Sequence, residues 1–188
     1  MPIDFNDLVK DALELNAKHA AIADTAKIKF HEDYRKACER NVCRKYDTNW
    51  MGPPAIGPID ELMNRARQFK QGLLIQTVYQ LSSPFDVKGM EEATKVHEAT
   101  FRRILAHIRN KYQFKEMLPL NAGCCSLCPR CAYLDKEPCR HPDEAVSSVE
   151  AYGIEVMTLE KSCGIPIYNG KNTVSCVALI LFNENENE

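Results

Sequence analysis

Five of the chain's nine cysteines fall within the sixteen residues from Cys124 to Cys139. Nine is odd, so the thiols cannot all pair as disulfides within the chain, and nine in 188 residues is sparser than a secreted disulfide scaffold. The clustering therefore asks for a metal before a disulfide. Taking Cys125, Cys128, Cys131 and Cys139 gives the spacing C-x2-C-x2-C-x7-C. The two-residue steps let a tight loop wrap three thiolates around one corner of an iron–sulfur cube, with a fourth arriving from farther along beside a proline. In bacterial ferredoxins the proline follows that last cysteine, whereas here Pro138 precedes Cys139. Zinc sites more often take two separated C-x2-4-C pairs. The pattern thus favours a [4Fe–4S] cluster, and zinc stands as the alternative.

The other cysteines divide less cleanly. Cys124 either replaces Cys125 through a C-x3-C step or packs beside the site. Cys38 and Cys43 form a C-x4-C half-site; in one continuous helix their thiols would point about 140° apart, so a metal there needs a chain break between them. Cys163, in a loop reading Lys-Ser-Cys-Gly-Ile-Pro, is free to approach a cofactor. Cys124, Cys38, Cys43 and Cys163 are the secondary ligand candidates, and Cys176, within an apolar strand, reads as a small buried hydrophobe. Arg140 has two readings, a donor to cluster sulfurs or a partner of Asp135, Glu137 or Glu144, while His141 reads as a solvated loop residue.

The rest of the chain is ordinary for a globular protein, with 45% hydrophobic and 27% charged residues. Its length predicts a single α/β domain over 1–188, with the cysteine-rich segment 123–142 inside it. A formal charge of −2 offers no field to hold nucleic acid, and Arg102, Arg103, Arg109 and Lys111 read as the solvated face of a helix. His97 and His107 are placed on that polar face too. The longest apolar stretch, Val174 to Phe182, is far below the roughly twenty residues of a membrane helix. No secretory or transmembrane pattern is present, which predicts a cytoplasmic protein whose thiols stay reduced.

Periodicity predicts helices over 3–18, 31–44, 58–70, 86–112 and 142–152. It predicts strands over 26–30, 73–81, 116–120, 154–156 and 174–182. Residues 46–54, Tyr-Asp-Thr-Asn-Trp-Met-Gly-Pro-Pro, are dense in turn formers, and their Trp50 and Tyr46 either wall a pocket or pack the loop. The acidic tail, 183–188, is expected to fray. Strands alternating with helices predict a mixed sheet of about four to five strands flanked by helices, with a cysteine-rich cluster-binding loop region.

The text around the cysteines resembles a known family. Gly123, Cys125, Leu127, Cys128, Cys131, Pro138, Cys139, Arg140 and Pro142, followed by Ser148, Glu150, Ala151, Gly153, Ile154 and Val156, resemble the predicted metal-binding proteins catalogued as domain of unknown function 2284. The upstream stretch from Cys38 through Cys43, Tyr46, Asn49, Trp50 and the Pro53–Pro54 pair belongs to the same resemblance. It implies an iron–sulfur or metal protein of anaerobes, with Cys125 rather than Cys124 as first ligand and no settled reaction. Two departures matter: Gly52 stands where relatives carry a cysteine before the proline pair, and the first cysteine pair is more widely spaced.

Three functions follow. One is an electron carrier or redox accessory protein serving a partner redox protein. A second is an enzyme using an open iron as Lewis acid or sulfur carrier. The third is a zinc-stapled binding module. No G-x-G-x-x-G or Walker motif supports nucleotide chemistry.

Overall fold

A computed structural model describes residues 3–184. At its centre lies a five-stranded mixed sheet. In chain order the strands are β1 (His19–Asp24), β2 (Gln71–Gln80), β3 (Phe114–Asn121), β4 (Ser147–Ser148) and β5 (Thr173–Glu184), and their spatial order is β1-β2-β5-β3-β4. Only the β3–β4 pair is parallel; the β1–β2, β2–β5 and β5–β3 pairs are antiparallel. The near-continuous apolar run of β5 is explained by this position. Its second half is flanked by strands on both sides and covered on both faces, so neither face needs polar residues.

Five helices flank the sheet, α1 (Phe5–Glu14), α2 (Asp33–Glu39), α3 (Ile59–Arg67), α4 (Val87–Lys111) and α5 (Val156–Ser162), and all but α2 bury side chains against it. On one face Leu8 and Ala12 of α1 and Phe101, Ile104, Leu105 and Ile108 of α4 pack on Leu73, Ile75, Ala178, Ile180 and Phe182. On the other, Leu62 and Ala66 of α3 and Leu159 of α5 pack on Leu74, Leu179 and Leu181. Asp86 caps α4, its Oδ1 accepting from Gly89 N at 2.9 Å, and this fixes where the long helix begins. Among the described residues no helix is long and apolar enough to cross a membrane.

Several local expectations give way to tertiary pairing. The strand expected over 26–30 is a 3-10 turn (Thr25–Lys27) followed by a single bridge from Phe30 to Ile154. The true edge strand, β1, lies upstream, where His-Ala-Ala-Ile-Ala shows no clear alternation. The helix expected over 142–152 is instead a turn, the two-residue β4 and a 3-10 turn (Glu150–Tyr152). Val146, Ser147, Val149 and Ala151 through Ile154 are all buried, a pattern no helix face accommodates. The strand expected over 154–156 is only that one bridge, after which α5 begins. The helix expected over 31–44 ends at Glu39, because Asn41, Arg44 and Asp47 all take left-handed φ values (52°, 57° and 57°). Of the expected frayed tail, Asn183 and Glu184 belong to β5, and 185–188 lie outside the described residues. His97, expected on a polar face, is fully buried at 0% exposure.

A candidate metal centre

The cysteine segment begins where β3 ends. Gly123 turns the chain out of the sheet at φ 72°, a conformation a side chain resists, and the cysteines follow at once. The segment then runs through a short 3-10 turn (Ala132–Asp135), reverses at Lys136 (φ 58°), and returns to the sheet as β4. Its two ends are therefore fixed by neighbouring strands while its middle stands free of the sheet.

That middle is held by the turn-rich loop 46–54. The Trp50 indole Nε1 donates to the Glu137 carbonyl at 3.0 Å, and its ring meets Tyr133 edge-on with centroids 5.0 Å apart. The Tyr133 hydroxyl donates to Asp47 Oδ1, and Ser147 Oγ donates to the Met51 carbonyl at 2.8 Å. The loop itself is closed by Asp47 N to Pro53 O at 2.9 Å and by the buried Asn49, whose Oδ1 accepts from Met51 N at 3.1 Å. At Gly52 a Cβ would meet Asn49 Nδ2 at 2.9 Å, so the loop is built around the absence of a side chain there. A cysteine at that position would displace Asn49.

Cys125, Cys128, Cys131 and Cys139 all line one narrow pocket between these two segments. Asn49, Trp50, Met51, Leu127, His141 and Ala145 complete its wall, and about 20 Å³ of water-sized space lies inside. All four cysteines are half-buried. Burial pushes the Cys125 thiol up, while backbone N–H groups of Leu127 and Val146 and the nearby Arg102 guanidinium pull it back down. Those N–H groups are the donors a bound thiolate requires. Among the described residues no group of three or more His, Cys, Asp or Glu converges closely enough to hold a single metal ion.

The secondary candidates lie elsewhere. Cys124 is half-buried but is not part of the pocket wall. Cys38, in the last turn of α2, and the exposed Cys43 beyond it are also outside the wall, although a charge on Cys43 is felt at Cys38, whose thiol is raised chiefly by burial. The chain break after Glu39 is thus present. Cys163 ends α5 with its Sγ 3.9 Å from the Ile22 carbonyl and 3.8 Å from Ser162 Oγ, beneath the β1 edge and apart from the cysteine pocket. This packing places Cys163 outside the wall of the cysteine pocket. Cys176 is half-buried rather than fully buried.

Arg140 makes no direct ion pair with Asp135, although its charge helps hold that carboxyl down. It donates to the Arg130 carbonyl at 3.0 Å, bracing the cysteine loop, and the Asp135 carboxylate is taken by Arg130 at 2.8 Å. His141 is exposed, yet it borders the pocket.

Behind the pocket lies a polar chain that no motif in the sequence announces. Thr77 Oγ1 lies 2.7 Å from His97 Nδ1, so the hydroxyl donates when the imidazole carries its proton on Nε2. His97 Nε2 and Asn121 Oδ1, a matching donor and acceptor, are both buried without an in-line partner, and the Asn121 side chain lies against the ring. Asn121 Nδ2 donates to Glu98 Oε2, Arg102 Nε donates to Glu98 Oε1 at 2.7 Å, and Arg102 Nη1 donates to the Glu144 carbonyl. Arg102, expected on a solvated face, is instead half-buried between α4 and the cysteine segment. The only signal for this chain was polar residues sitting on an otherwise apolar helical stripe.

A family model matches residues 21–182, most of the chain, including every cysteine. The chain belongs to the predicted metal-binding protein family DUF2284. The resemblance read from the cysteine text is thereby established, and with it the coarse assignment of the family as metal-binding. No curated protein matches the chain. A solved structure of epoxyqueuosine reductase from Bacillus subtilis, with its catalytic loop swung out of the active site, is similar at 9% identity and a TM-score of 0.42. The likeness covers 95% of this chain and 45% of the other. The chain thus spans under half the length of that reductase, and the match is too distant to fix a shared fold.

Proposed function

We propose that this DUF2284 protein holds a [4Fe–4S] cluster on Cys125, Cys128, Cys131 and Cys139 and serves in electron transfer or as a redox accessory protein in the cytoplasm. The observation that carries this reading is that those four cysteines, and no other, line one pocket. The donor set fits the group: four thiols at C-x2-C-x2-C-x7-C spacing, two backbone N–H donors at Cys125, and a largely apolar remaining wall. Such a cluster, when bound, supplies one-electron chemistry at a potential set by hydrogen bonds to sulfur and by nearby charge.

The chain's own residues support that role in stated ways. The backbone N–H groups of Leu127 and Val146 and the Arg102 guanidinium stabilise negative charge at Cys125. Trp50, Met51 and Leu127 restrict water at the thiols, and Trp50 and Ser147 tie the covering loop to the segment. One face of the pocket borders solvent through His141, which gives a partner redox protein a short approach.

Anaerobic purification followed by iron, zinc and acid-labile sulfide analysis tests the reading. The expected result is about four irons and four sulfides per chain, with a broad visible absorption that bleaches and returns on reduction and reoxidation. Zinc without sulfide means a zinc-stapled module. A cluster that disintegrates on reduction removes the electron-carrier role.

A further inference from the structure

Strand β5 is 12 residues long, but β3 covers only the half that ends at Glu184. From Thr173 to Ala178, β5 pairs with β2 on one side and, among the described residues, has no strand on the other. A strand edge carries alternate N–H and C=O groups that call for a partner. This edge forms the wall of a cleft of about 600 Å³. Five consecutive residues, Thr173 to Val177, line it, and consecutive lining mixes both side-chain faces, so the cleft meets the strand edge-on. Met90 of α4 bounds it toward one face of the sheet, and Val156 and Glu160 of α5 toward the other. The slot continues the line of β3, whose chain turns away at Ala122 into the cysteine segment.

A second observation is electrostatic. Glu160 lines the cleft yet is only 4% exposed. Its Oε1 accepts from Gln76 Nε2 at 2.6 Å, and among the described residues its other oxygen meets no donor. None of the described residues lining the cleft is Lys, Arg or His. A buried carboxylate without a cation is costly to keep charged, and burial duly pushes its pKa up. An incoming ammonium or guanidinium removes that cost. The rim adds exposed apolar surface at Met157 and at Tyr168, which is 76% exposed.

We propose that this cleft binds an extended peptide segment of a partner protein, which adds a strand to the free edge of β5 and sets a lysine or arginine side chain against Glu160. The backbone edge supplies affinity without regard to sequence, and the carboxylate selects the side chain. A partner docked here stands where the cysteine segment leaves the sheet. The site is independent of what the cysteines hold.

The test titrates the full-length protein with the blocked nonapeptide Ser-Val-Thr-Val-Lys-Val-Thr-Val-Ser, followed by calorimetry and by amide hydrogen exchange. Saturable binding is expected, with exchange at 173–177 slowed. Replacing the peptide lysine by glutamate, or Glu160→Gln in the protein, is expected to weaken binding about tenfold, the effect of one charge-assisted hydrogen bond. Glutamine at 160 still accepts from Gln76, so an unchanged melting temperature separates loss of binding from loss of fold. Equal binding of the lysine and glutamate peptides overturns the proposal, as does unchanged exchange at 173–177. So does no binding up to millimolar peptide, or n-butylammonium alone binding as tightly as the peptide.

Discussion

Arg102 Nε donates to Glu98 Oε1 at 2.7 Å, and this pair joins the long helix to the segment that carries the cysteines. Glu98 also accepts from Asn121 at the end of β3, and Arg102 also donates to the Glu144 carbonyl. Both side chains are about a fifth exposed, so the pair is screened less than a surface one. Arg102→Gln is expected to destabilise the protein by about 1–2 kcal/mol, since a partly buried carboxylate loses its cation. In a double-mutant cycle with Glu98→Gln, denaturant unfolding should show a coupling of about 1 kcal/mol. Additive effects of the two substitutions would mean that the pair does not act as a unit.

Trp50 is the chain's single tryptophan, and it lies in the pocket wall. Its fluorescence should therefore fall when the site is loaded and recover when a chelator strips it. Trp50→Phe keeps a ring against Tyr133 but removes the donor to Glu137, at an expected cost of about 1 kcal/mol. The loaded variant should bleach faster in chelator than the wild type, measured as the decay of visible absorbance. Equal decay rates would show that the loop does not guard the thiols.

Cys124 and Cys125 are adjacent in sequence, but only Cys125 lines the pocket. Cys125→Ser should abolish stoichiometric metal or cluster content, whereas Cys124→Ser, Cys38→Ser and Cys163→Ser should retain it. The check is metal and sulfide analysis of each variant purified anaerobically. A Cys124→Ser protein that loses its metal while Cys125→Ser keeps it would exchange the two roles.

Burial pushes the His97 imidazolium down to about 4 from its ordinary 6.5. The unfolded chain therefore binds a proton between these values that the folded chain does not. The stability due to a neutral His97 is complete above pH 6.5 and is lost as pH falls toward about 4. Between pH 7.5 and 4.5 the wild type should lose about 2–3 kcal/mol more than His97→Leu, measured by denaturant unfolding of both proteins at each pH. Parallel pH profiles would show that the ring titrates freely in the native state.

How much was legible in the sequence differs by element. The helix Val87–Lys111 and the strands Gln71–Gln80 and Thr173–Glu184 follow from apolar period and length. β1 and β4 did not show, because an edge strand and a two-residue strand are set by their neighbours' free hydrogen bonds rather than by their own side chains. Spacing alone singles out the four cysteines that line one pocket. The polar chain from Thr77 to Arg102 was not visible, because its members are far apart in sequence and meet only where β2, α4 and β3 pack.

What the sequence determined by itself was the chemistry: thiols in a run of two-residue steps, a turn-rich loop with the single tryptophan, and the apolar strand that became β5. Those are short-range properties, fixed by residue type and spacing. The tertiary structure decided which thiols face one pocket, that Trp50 closes it by reaching Glu137, and that Cys163 is packed beneath β1 instead. It also decided that half of one edge of β5 lies open beside a buried carboxylate. These depend on where segments separated by tens of residues come to rest, which is set by packing on the shared sheet and not by any local pattern.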